Sequence, residues 1–426
     1  MLAISLLLVG LILLLLTGLP IFAGLSLFGG LLLMGEPGGL DIVSDIVFAK
    51  TGMYVLVAIP LFAYMAHVMI RGRIVDDLYS TAYTLTRHLP GGVGIATIVA
   101  CMIFSAISGS SVATALTIGA VAIPQMIRYG YDPKIAYGLV AAGGTLGILI
   151  PPSGPMILYG VATDTSISGL FMAGVVPGFL LAGIFCVYCM FRQRGTQREQ
   201  RATTREMLVA VRKSGWAITL PTLVLGGMYA GVFTATEAAA VGALLALVIA
   251  AFIYRSVGLR DIWECAKDAA RTSAMLFMIL ASAAVFSYAL TKLMVPQQIV
   301  EMVTEMDMGA LGFIIAMMVM IFVLGMFLES IAIILITSPV IMPVMTHLGI
   351  DPIWYGVLLV INLEVAMITP PVGMNLFTIK AVTQSPMGPI IRGSFPFVLL
   401  MLLGLALVVA FPQLATLLPQ SMMNPT

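Results

Sequence analysis

Long apolar segments separated by short polar ones dominate this sequence. A helix of about 20 apolar residues crosses the hydrocarbon core of a bilayer, whereas the strands of outer-membrane barrels are only about 10 residues long. The pattern therefore predicts an all-α polytopic membrane protein with about ten spans. The apolar runs are 2–34, 53–70, 92–126, 136–162, 168–191, 215–254, 272–290, 310–342, 353–380 and 394–418.

Four of these runs are too long for one straight span. At a rise of about 1.5 Å per residue, the 33 residues of run 2–34 would form a helix of about 50 Å, against a core of about 30 Å. We expect breaks at 18–20 and at 231–237, and a break or reversal within 92–126 and 310–342. The first run lacks the basic region of a secretory signal and is too long for its apolar core, so we expect a retained span.

The basic residues predict how the chain is oriented. Cytoplasmic loops of membrane proteins carry an excess of Lys and Arg, and seven of the 20 lie between 192 and 213. Taking that segment as cytoplasmic places only Lys50 and Lys292 outside, and it places both termini outside. The arrangement requires 92–126 and 310–342 to enter and leave on one side, as re-entrant hairpins. Cytoplasmic loops would be 71–91, 127–135, 255–271 and 380–393, and external loops 35–52, 163–167, 291–309 and 346–352.

The chain repeats its Gly and Pro pattern at an offset of 219 residues. Pro124 matches Pro343, Pro151-Pro152 matches 370–371, and Gly174 matches Gly393. Because these residue types mark positions where the backbone bends, the two halves are predicted to share one fold. We assign 1–191 to a first repeat, 192–214 to a basic cytoplasmic linker and 215–426 to a second repeat.

Charges in matching loops indicate that the repeats are inverted. Loop 71–91 has three basic residues, while its counterpart 291–309 has one basic and three acidic residues. Inverted repeats with broken helices are typical of secondary transporters that bind substrate near the membrane midplane. The alternative is an old duplication without a transport role.

Polar residues at membrane depth mark candidate hairpin tips. Segment 105–114 is rich in Ser and Gly, and its counterpart around Gly325 contains Glu329. Irregular backbone at this depth requires protein or a water-filled cavity around it. Exposed carbonyls and hydroxyls would suit Na⁺, and helix N-termini would suit a carboxylate. Packing of small residues remains an alternative for the first tip, and Glu329 could bind a cation, carry a proton or only hold the tip.

Two further segments are predicted to interrupt helices. The Pro-Pro pairs at 151–152 and 370–371 remove backbone donors within apolar runs. Thr234 and Glu237 form a capping-box pattern, Thr at the N-cap and Glu three residues later. Glu364 lies deeper in an apolar run, where an ionisable residue suggests a functional site.

Other classes of protein are disfavoured by composition and motifs. There is no phosphate-binding P-loop motif, so no ATP hydrolysis by this chain is expected. The 20 basic and 19 acidic residues disfavour nucleic-acid binding. Dispersed histidines disfavour a transition-metal site, and no organic cofactor is expected. A membrane enzyme would need an activated nucleophile or a cluster of acids or histidines, and the dispersed histidines and acids disfavour one. A subunit that only assists assembly would leave Glu329 and Glu364 at membrane depth unexplained.

The motifs together resemble the DctM family, the large membrane subunit of TRAP (tripartite ATP-independent periplasmic) transporters. The resemblance extends almost from end to end. It is carried by Gly109-Ser-Ser, Gly147-Ile-Leu-Ile-Pro-Pro-Ser, Leu170-Phe-Met-Ala-Gly-Val-Val-Pro-Gly, Phe327-Leu-Glu and Thr369-Pro-Pro-Val-Gly. Ala235 departs from the proline expected there.

This resemblance implies an elevator transporter of a bacterial inner membrane, with a mobile transport domain and a fixed scaffold. Na⁺ would drive import of an organic acid, such as a C4-dicarboxylate or sialic acid. The implied partners are a periplasmic DctP-like binding protein and a separate four-span DctQ-like subunit. A single-component carrier or antiporter of similar fold is the alternative.

The resemblance also implies the residues of the site. Sodium would be bound around the tips and unwound segments, and the substrate between them. The sodium set is Ser105, Ser108, Gly109, Ser110, Gly144, Thr145, Pro151, Gly325, Glu329, Thr369, Gly373 and Met374; the substrate set is Ser110, Ser111, Pro152, Ser153, Ser330 and Asn375.

Overall fold

The computed structural model describes residues 10, 14, 17–72, 74–192 and 200–423. Most of the first predicted span before residue 17, and Arg194 and Arg198 of the basic cluster, lie outside these residues. Within them the chain folds into 19 α-helices without a strand, and eight of the helices are long and apolar enough to cross a membrane. The all-α polytopic fold is confirmed.

The first half contains nine helices. A 3₁₀ turn, Tyr54–Val57, leads directly into the third of them. The helices are α1 Ile21–Met34, α2 Val43–Thr51, α3 Ala58–Arg71, α4 Ile74–Thr86, α5 Gly92–Ser108, α6 Ser111–Arg128, α7 Pro133–Leu149, α8 Gly154–Thr163 and α9 Ile167–Arg192.

The second half contains ten helices. The helix α11 continues as a π-helical turn, Ile249–Ile253. The helices are α10 Thr204–Tyr229, α11 Ala235–Val248, α12 Leu259–Lys292, α13 Val295–Glu305, α14 Ala310–Gly325, α15 Ser330–His347, α16 Pro352–Met367, α17 Met374–Thr383, α18 Met387–Ala410 and α19 Gln413–Met423.

Helix boundaries follow local capping chemistry. The predicted box at Thr234 forms, since its hydroxyl accepts from the Glu237 amide and the Glu237 carboxylate accepts from the Thr234 amide. A second box at Thr203 and Glu206 starts α10 inside the segment assigned as linker. This start differs from the predicted linker, because the surrounding basic residues obscure the Thr-x-x-Glu pattern. The final apolar run also breaks, between α18 and α19.

The breaks in the long runs lie near the expected positions. Run 92–126 becomes α5 and α6, separated by Gly109 and Ser110, and run 310–342 becomes α14 and α15. Helices α6 and α15 both start at a serine, Ser111 and Ser330, which are 219 residues apart. The Pro-Pro segments interrupt α7–α8 and α16–α17, both with a cis peptide bond between the prolines.

Packing between the halves is reciprocal. Helix α6 of the first half packs against α17 of the second, and α15 of the second half packs against α8 of the first. In the same way, α1 packs against α12, and α3 packs against α11. Each long hairpin arm is therefore supported by the short helix of the opposite half.

Loops assigned to the cytoplasm meet at one end of the bundle. Arg71 pairs with Asp261, Arg87 with Glu206 and Lys213 with Asp77, at 3.1, 3.0 and 2.7 Å. Exposed pairs of this kind contribute at most about 1 kcal/mol each, but they show that 71–91, 200–213 and 255–271 lie together. At the other end, the Thr304 hydroxyl lies 3.2 Å from Nε2 of His347.

Candidate functional site

A cavity of about 260 Å³ lies where the two hairpin tips meet. One wall is formed by the tip residues between α5 and α6 and by the start of α15. The unwound Pro-Pro segment before α8 and Met374 of α17 close it further. The opposite wall comes from Phe62 of α3 and from Thr272 and Leu276 of α12. The cavity thus lies between the two hairpin tips and the helices α3 and α12.

The first tip concentrates oxygen atoms in a short turn. Gly109 adopts φ +58°, a conformation that glycine allows at little cost. The Ser108 hydroxyl lies 3.0 Å from that of Thr114, and the Thr114 hydroxyl donates to the Ser110 carbonyl at 2.8 Å. Hydroxyl and carbonyl oxygens of this kind are ligands that suit hard cations.

Close backbone packing holds this tip against its neighbours. A β-carbon on Gly147 would lie 2.7 Å from the Ser110 carbonyl oxygen, and one on Gly144 would lie 3.0 Å from that of Ser111. A β-carbon on Gly109 would overlap the Pro152 carbonyl. Glycine is required at these positions for the tip to approach α7 and the Pro-Pro segment.

The second tip presents a carboxylate to the cavity. Glu329 is the N-cap residue of α15, but its carboxylate forms no capping hydrogen bond, although it lies near the Ile331 amide. The Ser330 hydroxyl lies 3.6 Å from the Met367 sulfur. Whether Glu329 binds a cation, carries a proton or only holds the tip stays a prediction.

Glu364 does not belong to the second tip, although it lies in the second half. It is 1% exposed, and the Ser111 hydroxyl lies 2.7 Å from both of its carboxyl oxygens. In the described chain Ser111 is its one hydrogen-bond partner. Glu364 therefore connects α16 to the start of α6, across the two halves.

Replacing Ser111 with alanine is expected to destabilise the protein by about 1–3 kcal/mol, because a buried polar group loses its partner. A thermal unfolding measurement in detergent would report this as a lower Tm. Ser330→Ala is the matched control, since Ser330 occupies the equivalent position and contacts only a weak sulfur acceptor. Equal Tm values for the two variants would contradict the assignment.

The structure brings about half of the predicted site residues into the cavity. They come from both tips, the first Pro-Pro segment and α17, which lie far apart in sequence. The residues that line it are Ser108, Gly109, Ser110, Ser111, Pro152, Ser153, Glu329, Ser330 and Met374.

The remaining predicted residues do not line this cavity. The Thr145 hydroxyl donates to the Ala142 carbonyl at 2.6 Å, and that of Thr369 to Val365 at 2.7 Å. Asn375 is fully buried, and its side-chain nitrogen donates to the Ala141 carbonyl. The others are Ser105, Gly144, Pro151, Gly325 and Gly373, whose roles stay predictions.

Sequence reasoning missed the opposite wall of the cavity. Phe62 and Thr272 belong to helices α3 and α12, which continue without a break at these positions. The adjacent hydroxyl residues Thr272 and Ser273 at the start of run 272–290 were the available signal. The pairing of Ser111 with Glu364 was also missed, because the two residues are 253 positions apart.

Comparison with known proteins identifies the family of the chain. The family model described as "Tripartite ATP-independent periplasmic transporter, DctM component" matches residues 8–414. The C4-dicarboxylate TRAP transporter large permease protein DctM of Pseudomonas aeruginosa is 39% identical over 389 residues, 91% of each chain. The sialic acid TRAP transporter large permease protein SiaM of Vibrio cholerae is 31% identical over 96% of each.

A longer relative gives further support to the family, and a solved structure gives support to the fold. The isethionate TRAP transporter permease protein DctMQ of Oleidesulfovibrio alaskensis is 35% identical over 88% of this chain and 59% of its own length. The crystal structure of the Alcanivorax borkumensis YdaH transporter has a TM-score of 0.67 at 14% identity, covering 88% of each chain, and so shares the fold.

These relatives are named as permease subunits of transporters, which confirms that the protein is not an enzyme. The family match extends over both predicted halves and both hairpins. The alignments with the three relatives cover 88% to 96% of this chain. The chain belongs to the DctM family, the large permease component of tripartite ATP-independent periplasmic transporters.

Proposed function

We propose that this protein imports an organic acid by Na⁺-coupled secondary transport. The charge pattern of the central cavity carries the proposal. Among the residues that line it, Glu329 is the one charged side chain, and Lys, Arg and His do not occur. A carboxylate substrate would therefore meet a negative charge and no basic side chain.

Bound cations would resolve this repulsion. Two like charges about 5 Å apart repel by about 3 kcal/mol at an effective dielectric constant of about 20. Na⁺ held by tip oxygens would offset Glu329 and add attraction for the substrate. The N-termini of α6, α8 and α15 also face this region, and their partial positive charges favour an anion.

We propose two sodium positions from the oxygen atoms near the tips. The first would use the oxygens of Ser108, Ser110 and Thr114 at the first tip. The second would use Glu329 together with the backbone around Gly325 and Thr369. The Thr369 carbonyl oxygen lies close to Gly373, where a β-carbon would come within 2.9 Å of it. Binding of both ions would fix both tips before the substrate enters.

The walls of the cavity support an elevator movement. Both tips and both Pro-Pro segments would move together as the transport domain. Helices α3 and α12 would stay fixed as part of the scaffold. The apolar wall formed by Phe62, Met275 and Leu276 offers few polar partners that would resist sliding.

The names of the relatives support a substrate class and a set of partners. Relatives are named for C4-dicarboxylates, sialic acid and isethionate, all of them acids. We propose that a periplasmic binding protein delivers an acid of this kind, and that a separate small permease corresponds to the second part of the DctMQ name. The complex would lie in a bacterial inner membrane, with both termini of this chain periplasmic.

The test is uptake into proteoliposomes that contain this chain and its small subunit. An inward Na⁺ gradient would be applied with a panel of labelled organic acids, with and without the binding protein. We expect uptake that requires both Na⁺ and the binding protein. Uptake without the binding protein would favour a single-component carrier, and uptake that is indifferent to Na⁺ would overturn the coupling.

A further inference from the structure

A second polar cavity lies away from the hairpin tips. Its volume is about 250 Å³, and it is bounded by α2, α12, α15 and the end of α8. Lys50 is its one charged lining residue, and Ser287, Tyr288 and Thr291 add hydroxyls from one side of α12. Since acidic residues are missing from this lining, the cavity has a net positive charge.

The polar groups of this cavity are available to a ligand. In the described chain Lys50 is half-buried and forms no ion pair. The Thr291 hydroxyl donates to the Ser287 carbonyl at 2.9 Å, whereas the hydroxyls of Ser287 and Tyr288 have no hydrogen-bond partner among the described residues. An ammonium group with two free hydroxyls can bind a carboxylate through several donors.

Both cavities lie along the same helix. The central cavity contacts α12 at Thr272, Met275 and Leu276, and the second cavity contacts it from Leu280 to Thr291. From Leu276 to Ser287 the helix rises by about 17 Å. The second cavity lies toward the end of α12 that the charge pattern assigns to the outside, where Lys50 and Lys292 are the two basic residues.

We propose that the Lys50 cavity is an outer binding site for the carboxylate of the transported acid. The acid would occupy it on the way from the external face to the hairpin tips. The proposal rests on the proposed function, because import sets the direction in which the acid would pass through this cavity. A lysine in the last turn of α2 could also serve only the helix dipole and the membrane interface, but that role would leave the unpartnered hydroxyls of Ser287 and Tyr288 in the same cavity unexplained.

Charge selectivity at an introduced cysteine tests the site directly. Ser287→Cys would be placed in the reconstituted complex and labelled from the outside with methanethiosulfonates that carry either a sulfonate or a trimethylammonium group. The four native cysteines are buried or half-buried, and unsubstituted protein gives the background rate. We expect the anionic reagent to be favoured, and Lys50→Gln to lower the anion-to-cation rate ratio about three- to tenfold.

Lys292→Gln is the matched control. Lys292 is exposed, and its ammonium lies 5.7 Å from the centre of the Tyr288 ring instead of lining the cavity. We expect it to change the rate ratio less than twofold. An unchanged ratio in Lys50→Gln, an equal fall in Lys292→Gln, or labelling from the opposite side alone would overturn the proposal.

Uptake kinetics separate this proposal from the proposed function. Lys50→Gln should raise the KM for the delivered acid about three- to tenfold and weaken its dependence on ionic strength, with kcat unchanged. Wild-type KM in Lys50→Gln would argue against the outer site while leaving transport intact. Absence of Na⁺-driven uptake by unsubstituted protein would instead refute the proposed function, and the labelling ratio would still decide the charge of the cavity.

Discussion

Replacing Glu329 with glutamine is expected to lower Na⁺-driven uptake about 100-fold or more. The substitution keeps the shape of the side chain but removes the one negative charge in the central cavity. Loss of one partner of a poorly solvated charge pair costs about 3–5 kcal/mol, and each 1.4 kcal/mol corresponds to about tenfold in affinity. Initial uptake rates across a range of Na⁺ concentrations would show a large rise in the Na⁺ concentration needed for half-maximal transport.

Glu301→Gln makes the same chemical change at an exposed position on α13 and should leave uptake unchanged. Thermal unfolding of both variants would confirm that the fold is kept. If folded Glu329→Gln transported with the Na⁺ dependence of unsubstituted protein, Glu329 would have a structural role only, and the second sodium position would have to be abandoned.

Replacing Gly138 with alanine is expected to destabilise the fold by about 3 kcal/mol, the upper end of the usual cost of overpacking. A β-carbon there would overlap the Gly393 carbonyl, and one on Gly393 would overlap that of Lys134. Helices α7 and α18 therefore cross with their backbones in contact, as small residues allow in membrane proteins. The added methyl group would meet backbone atoms of the neighbouring helix, which cannot rotate away as a side chain can. The two helices would therefore have to move apart to remove the clash. The yield of monodisperse protein and its Tm would fall together.

Gly388→Ala provides the matched control for this prediction. Gly388 lies on α18 near its start, and a β-carbon there would meet nothing within 4 Å. The same substitution should leave Tm unchanged or raise it slightly, since alanine favours helix more than glycine does. A wild-type Tm for Gly138→Ala would mean that α7 and α18 are not in backbone contact.

Much of the architecture could be predicted because helix breakers carry the information locally. Gly109, the Pro-Pro pairs and the Thr234 capping box each act within a few residues, so their positions could be read directly. The start of α10 at Thr204 was missed because basic residues suggested a loop, while the Thr203–Glu206 box was sufficient to begin a helix.

The site could be predicted only where function and backbone irregularity coincide. Ser110 and Glu329 lie beside breaks in long apolar runs and were found in this way. Phe62 and Thr272 lie on regular helices, and their approach to the tips depends on the packing of whole helices. Glu364 was recognised as unusual, but its partner Ser111 could not be deduced because nothing local connects the two residues.

The reciprocal support of the hairpins has a consequence for how such a protein can evolve. Helix α6 packs against α17, and α15 packs against α8. A substitution on a short helix in one half therefore changes the packing of the hairpin in the other half. A chimaera that joined the first half of one relative to the second half of another would mismatch both pairs at once. Substitutions at these two contacts are therefore expected to be compensated in the opposite half of the chain.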